Sequence, residues 1–161
     1  MNEEYSNYKR IIKAFRIALF TTINSEGMLH SRPMAIARAQ EDEESIWLFT
    51  LDSSAKSQEV KMNFKSSIAC MDNTMTLTIA GNSVIVQDTD MIRDLWKDEF
   101  NAWFSQGVDT AHLALIRFDP SEAQYWCYDA NHGLKYLVNS VKAVTNGAEP
   151  ESLCQQGHVI L

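Results

Sequence analysis

Arg32 and Lys56 are the two cations of this sequence whose settings imply a chemical task. Arg32 lies in "HSRPMAIARA" (residues 30 to 39), which reads as an extended segment with Arg32 and Arg38 on the same side as Met34 and Ile36. Pro33 follows directly and removes a ladder donor. A guanidinium on a mostly apolar strand face needs an anion, either a carboxylate at the rim of the fold or a bound phosphate. Lys56 lies in "TLDSSAK" (50 to 56), two residues after Ser54 and in the first turn of an expected helix. Free backbone N–H groups at such a helix start bind phosphate. With the Thr50 and Ser54 hydroxyls and the Lys56 ammonium, the segment reads as a phosphate cradle or as a capped surface helix with a solvated lysine.

Composition sharpens the question. The chain has 161 residues, with 14 Lys and Arg against 21 Asp and Glu, for a net charge of −7. A protein this acidic has no general attraction to nucleic acid or to anionic membrane, so any bound anion must be held by a local site. At 45% hydrophobic and 22% charged, the chain is composed like a globular domain long enough to bury a core. Cys70, Cys127 and Cys154 are odd in number and share no close spacing, which argues against a disulfide framework or zinc knuckle. His30, His112, His132 and His158 show no ligand spacing, and no metal site is expected. The motifs G-x-S-x-G, G-x-G-x-x-G and the P-loop are missing from the sequence. Glu43 and Glu44 read as part of a solvated loop rather than an acid/base pair. Residues 1 to 20 lack a basic segment followed by an apolar one, and no apolar run approaches the ~18 residues that span a bilayer, so a cytoplasmic protein is expected.

The elements that must position these residues follow from periodicity. Tyr8, Ile11, Ile12 and Phe15 mark an N-terminal helix. "IALFTTI" (17 to 23), the turn "NSEG" and "MLHSRPMAIARA" read as a hairpin, and "SIWLFTL" (45 to 51) as a third strand. A short helix is expected within 52 to 64, where Val60 and Phe64 lie four apart. "SIACM" and "TMTLTIAGNSVIVQ" flank Asp72-Asn73 as a second hairpin, with a bulge or bend at Gly81. Ile92, Leu95, Trp96, Phe100, Trp103 and Phe104 mark a second amphipathic helix ending near Gly107, and read first as core packing. Trp47 alternates with Phe49 on one strand face and reads as core or interface. "HLALIRF" (112 to 118) and "EAQYWCY" (122 to 128) read as two strands kinked at Asp119-Pro120. Leu134, Leu137, Val138 and Val141 read as a last helix, stopping at Asn146-Gly147. The pattern predicts one mainly β domain over 1–147, a closed or split antiparallel β-barrel with flanking helices, and a tail over 148–161 without clear period.

The runs "LFTTINSEGMLHSRPMAIARA", "IWLFTLDSSAKSQEV", "SIACMDNTMTLTIAGNSVIV", "LWKDEFNAWFSQG" and "LALIRFDPSEAQYW" resemble the general stress protein 26 group. That group belongs to the FMN-binding split β-barrel family related to pyridoxamine 5′-phosphate oxidase. The similarity spans roughly residues 10 to 145, and its signature is "SRPM" followed by "FT-x-D-S-x-x-K", closed by "AWF" and "YW". The resemblance implies a homodimer of split barrels with FMN at the subunit interface. By matching positions, Arg32 and Lys56 would hold the FMN phosphate, with Thr50 and Ser54 as hydrogen-bond donors. Pro33, Met34 and Phe49 would lie along the isoalloxazine and ribityl chain. Thr76 takes the place of a flavin-contacting Gln of the oxidase relatives, with a shorter reach, and Trp103 and Trp126 would reach a flavin edge across the interface.

The implied function is that of an FMN-dependent oxidoreductase of unknown substrate. The alternatives are a flavin carrier or sensor without turnover, and the same barrel holding a deazaflavin or haem. Efficient pyridoxamine 5′-phosphate oxidation is not expected. The oxidases build a second phosphate site from a basic Arg-x-His-type segment near the chain end, where this sequence reads "CYDANHGLKYLVNSVKAV". There Asp129 disfavours a second dianion, and Lys135 and Lys142 fall within the expected last helix.

Overall fold

The computed structural model describes residues 3–39, 44–128 and 154–161. Helix α1 (Glu3–Ala14) leads into strands β1 (Ile17–Ile23), β2 (Leu29–Arg38) and β3 (Ile46–Leu51). Helix α2 (Ala55–Met62), strands β4 (Lys65–Met71) and β5 (Met75–Val86), and helix α3 (Thr89–Leu95) follow. Strands β6 (Leu113–Tyr128) and β7 (Cys154–Ile160) complete the chain. Among the described residues the sheet runs β3-β2-β1-β4-β5-β6-β7, and β3 also pairs with β6. That last pairing, from Ile46↔Phe118 to Leu51↔Leu113, closes six antiparallel strands into the expected barrel.

Alternation along the strands builds the interior. Ala18, Phe20 and Thr22 of β1 point inward and are buried, as are Ile68 and Cys70 of β4 and Leu77 and Ile79 of β5. Tyr8, Ile11 and Ile12 of α1 plug one part of this core, as the helical spacing predicts. A second cluster lies outside the barrel wall, where Trp47 and Phe49 pack with Ile92, Leu95 and Phe100. Trp47 is therefore a core residue of that outer layer.

Three expectations change. The predicted helix over Ile92 to Phe104 is broken. α3 ends at Leu95, Trp96 is extended, and a 3-10 turn covers Asp98–Ala102. On a straight helix Trp96 and Phe104 would lie about 12 Å apart along the axis, whereas their ring centroids sit 6.1 Å apart around Phe49. Gathering both rings on one side chain requires the break.

The two strands expected on either side of Asp119-Pro120 are one strand. Gly81 faces Pro120 while Ala80 faces Glu122, so Ser121 is the extra residue of a bulge and the ladder continues past it. The third change concerns the tail. Residues 154–160 are β7, paired with the second half of β6 from Glu122↔Ile160 to Tyr128↔Cys154. β6 runs on beyond its pairing with β3, and this leaves an edge that β7 covers. Gly157 lets the Tyr125 ring lie against β7, since a Cβ there would fall 2.3 Å from the ring. The expected last helix with Lys135 and Lys142, and Asp129 ahead of it, lie outside the described residues.

The Gly81 bulge should be a stability determinant. A Cβ at Gly81 would stand 2.4 Å from the Asp119 carbonyl oxygen, a backbone atom that cannot swing aside. Gly81→Ala is expected to cost about 1–3 kcal/mol and to lower the thermal unfolding midpoint by several degrees. An unchanged midpoint would show that the bulge relaxes freely.

Candidate functional site

β2, β3 and the start of α2 converge on one cleft of about 390 Å³. Its lining includes Arg32, Pro33, Met34, Phe49, Thr50, Lys56 and Trp103, together with Ile17, Phe100 and Phe104. Seven of the expected site residues therefore share a cavity. An eighth, Ser54, adjoins it: Ser54 caps α2, and its Oγ lies 3.1 Å from the Thr50 Oγ1. Ser57 Oγ lies 3.1 Å from Thr50 and 2.9 Å from Ser54, which completes a triangle of hydroxyls, and it donates to the Leu51 carbonyl at 2.7 Å.

Thr76 and Trp126 lie elsewhere. They are cross-strand neighbours on β5 and β6, and Trp126 lines a separate depression with Gln124, Gln156 and His158. Neither lines the cleft of its own chain.

Arg32 has a carboxylate partner, one of the two possibilities left open by the sequence. Its Nη2 donates to Glu59 Oε2 at 3.0 Å, and its Nη1 donates to Thr22 Oγ1 at 2.6 Å and more weakly to the Phe20 carbonyl at 3.4 Å. The Thr22 hydroxyl in turn donates to Glu59 Oε2. Both bonds to Thr22 and Glu59 engage the Nη1–Nη2 end of the planar fork. The side edge, Nε–H with the second Nη2–H, has no partner among the described residues, and this is the edge that can grip an oxyanion with two parallel bonds.

Lys56 completes the electrostatics. Half-buried at the cleft wall, its ammonium has no carboxylate partner among the described residues. Burial, and then the Arg32 charge beside it, hold its pKa below the ordinary lysine value. Glu59 answers only one of the two cations. Burial alone would raise its carboxyl, but hydrogen bonds from Thr22, His30 and Arg32, with the Arg32 charge, outweigh that and leave it below the usual range. Part of the lining is aromatic: Phe49 and Phe100 centroids are 4.7 Å apart, and Trp96, which does not line the cleft, meets Phe49 edge-on at 5.2 Å. Trp103 is 60% exposed at the mouth.

Glu59, Thr22 and Ser57 were not singled out by residue type and spacing. Only Glu59 had a signal, and an indirect one: an arginine on a mostly apolar strand face needs an anion, and Glu59 stands one helical turn after Lys56.

Solved structures share this architecture. The chain is similar to a putative general stress protein 26 from Jannaschia sp. CCS1, with TM-score 0.71 and 17% identity over 99% of this chain and 98% of that one. It is similar to a protein from Clostridium acetobutylicum related to general stress protein 26 of B. subtilis, with TM-score 0.68 and 19% identity over 78% and 91% of the two chains. A general stress FMN/FAD binding protein from Xanthomonas citri gives TM-score 0.63 and 24% identity over 77% and 87%. The comparison with curated proteins gives no match. Across residues 3–151 the sequence matches the family described as pyridoxamine 5′-phosphate oxidase like, and the chain belongs to that family.

Proposed function

We propose that the cleft binds FMN and that the protein is an FMN-dependent oxidoreductase. The observation that carries this reading is the pair Arg32 and Lys56, two adjacent, partly buried cations of which Glu59 pairs only with Arg32, leaving the side edge of its guanidinium without a partner among the described residues. Left uncompensated, such a pair is costly, and a dianionic phosphate relieves it. The cleft volume lies within the ~300–1,000 Å³ of cofactor sites, and its aromatic side suits a flat ring system. Family membership and the similarity to an FMN/FAD binding protein support a flavin.

The residues present fit this group. The Arg32 side edge and the Lys56 ammonium hold the phosphate. The hydroxyls of Thr50 and Ser54 and the first amides of α2 would serve it as hydrogen-bond donors. Pro33, Met34, Phe49 and Trp103 form the apolar side that orients the ring and ribityl chain. Bound FMN would supply electron or hydride transfer through its isoalloxazine. The ionisable groups lining the cleft are Arg32 and Lys56, with no carboxylate or imidazole among the described lining residues, so the chain contributes anchoring, orientation and exclusion of water. That same lining favours a second reading, a flavin carrier or sensor without turnover. Rapid bleaching of the flavin by NADH or NADPH would select the enzyme; persistence of its colour would select the carrier.

Thr76 and Trp126 enter the site through a second copy. The outer faces of β2, β1, β4 and β5 form an uncharged band, Pro33↔Leu19↔Ala69↔Thr78. Ile17 and Leu19 on it are 53% and 45% exposed beside the cleft. Covering this band with a second barrel would shield the cleft mouth and bring Trp126 toward it from across the interface. Sedimentation of the flavin-loaded protein is expected at twice the monomer mass. A monomer that retains stoichiometric flavin would refute the shared site.

The phosphate assignment has its own test. Arg32→Ala and Lys56→Ala should each weaken FMN binding about ten- to a hundredfold, the cost of one charge-assisted contact, while riboflavin binds wild type and variants equally weakly. Unchanged FMN affinity in both variants would discard the assignment. The lowered Lys56 pKa adds a pH signature. Because Lys56 must be charged to hold the phosphate, FMN affinity should be steady from neutral pH upward and then fall at lower pH than an ordinary lysine would dictate. Lys56→Arg, always charged, should abolish that alkaline fall. Fluorescence titration against pH reads both curves.

A further inference from the structure

Among the described residues Glu59 is the buried carboxylate that pairs with Arg32, and its contacts go beyond neutralisation. Its Oε2 accepts from both Arg32 and Thr22, while Thr22 Oγ1 accepts from Arg32. The three side chains close a ring, Arg32 Nη1 to Thr22 to Glu59 and back to Arg32 Nη2. Thr22 is fully buried and Glu59 nearly so, so both ends of the clamp are held by packing from β1 and α2. The other carboxylate oxygen, Oε1, is 2.7 Å from His30 Nδ1, whose ring is half exposed. Three side chains on three elements, Thr22 of β1, His30 of β2 and Glu59 of α2, thus fix one guanidinium plane. Charged and titratable groups facing Glu59 are Arg32 and His30 from β2, with Lys56 one turn away on its own helix.

We propose that Glu59 is the positioning residue of the anion subsite, occupying the end of the Arg32 fork so that its Nε–Nη2 edge is presented to the phosphate. The inference rests on the reading of the cleft as a flavin phosphate site. Two effects of the carboxylate oppose each other. Its charge, close to where a phosphate would sit, repels the dianion, while its clamp removes the rotamer freedom that Arg32 would otherwise lose on binding. Positioning and mere charge therefore predict opposite signs when the group is removed.

Affinities of FMN and riboflavin for the full-length protein, measured by fluorescence titration, separate the possibilities. Glu59→Ala should bind FMN about tenfold more weakly, the loss of one well-placed charged contact, with riboflavin affinity unchanged. Glu59→Gln keeps the acceptor oxygen but removes the repelling charge, so it should return FMN affinity to within threefold of wild type or above it. Thr22→Val, close to isosteric, opens the ring without touching the carboxylate and should weaken FMN alone by several-fold; it serves if Glu59→Ala fails to fold. FMN binding in Glu59→Ala or Thr22→Val at wild-type strength or tighter would overturn the proposal, as would equal losses for FMN and riboflavin. If wild type itself fails to prefer FMN over riboflavin, the phosphate reading fails first, independently of Glu59.

Discussion

Six strands make a barrel only if the first and last edges meet, and here they meet between Ile46–Leu51 and the first half of β6. Much else follows from that closure. It buries Leu48 inside while turning Trp47 and Phe49 toward an outer layer of α3 and the 3-10 turn. It fixes the end of β3, so that Thr50 and the Ser54 cap stand beside β2 and its Arg32. The bulge at Ser121 then lets β6 continue past the closure to carry β7.

Within that frame the site is governed by an electrostatic imbalance. Burial makes each charge costly unless it is paired. Arg32 is paired at one end by Glu59, and Lys56 remains without a carboxylate among the described residues. A protein of net charge −7 concentrates two cations at one point and surrounds them with hydroxyls and aromatic rings. On the function proposed above, such a cleft would favour an anion attached to a flat apolar body over either part alone. The ionisable groups that the described residues place in the cleft lining are the two cations, Arg32 and Lys56.

Much of this was legible in the sequence because it is written in local pattern. Alternation in β2 and β5, with β-branched and aromatic runs between turn signals elsewhere, located β1 to β5, Gly81 marked its bulge, and the order of "SRPM" and "TLDSSAK" nominated most of the cleft. What escaped was non-local. The Trp96 break depends on Phe49 gathering rings from positions eight residues apart. β7 depends on an edge exposed by the length of β6, and "CQQGHVI" has only Val159 as a strongly apolar inward residue. Glu59 carries no local mark of its role, because the fold sets it against Arg32 across 27 residues. The placement of Thr76 and Trp126 away from the cleft is likewise a matter of tertiary geometry that spacing could not encode.

The central claim is that this cleft selects a phosphate-bearing flavin, and the most direct measurement is the mass of the small molecule released from freshly purified protein. FMN, recovered near one per chain, is the result this account predicts. A haem, or a flavin lacking the phosphate, recovered in its place would contradict it.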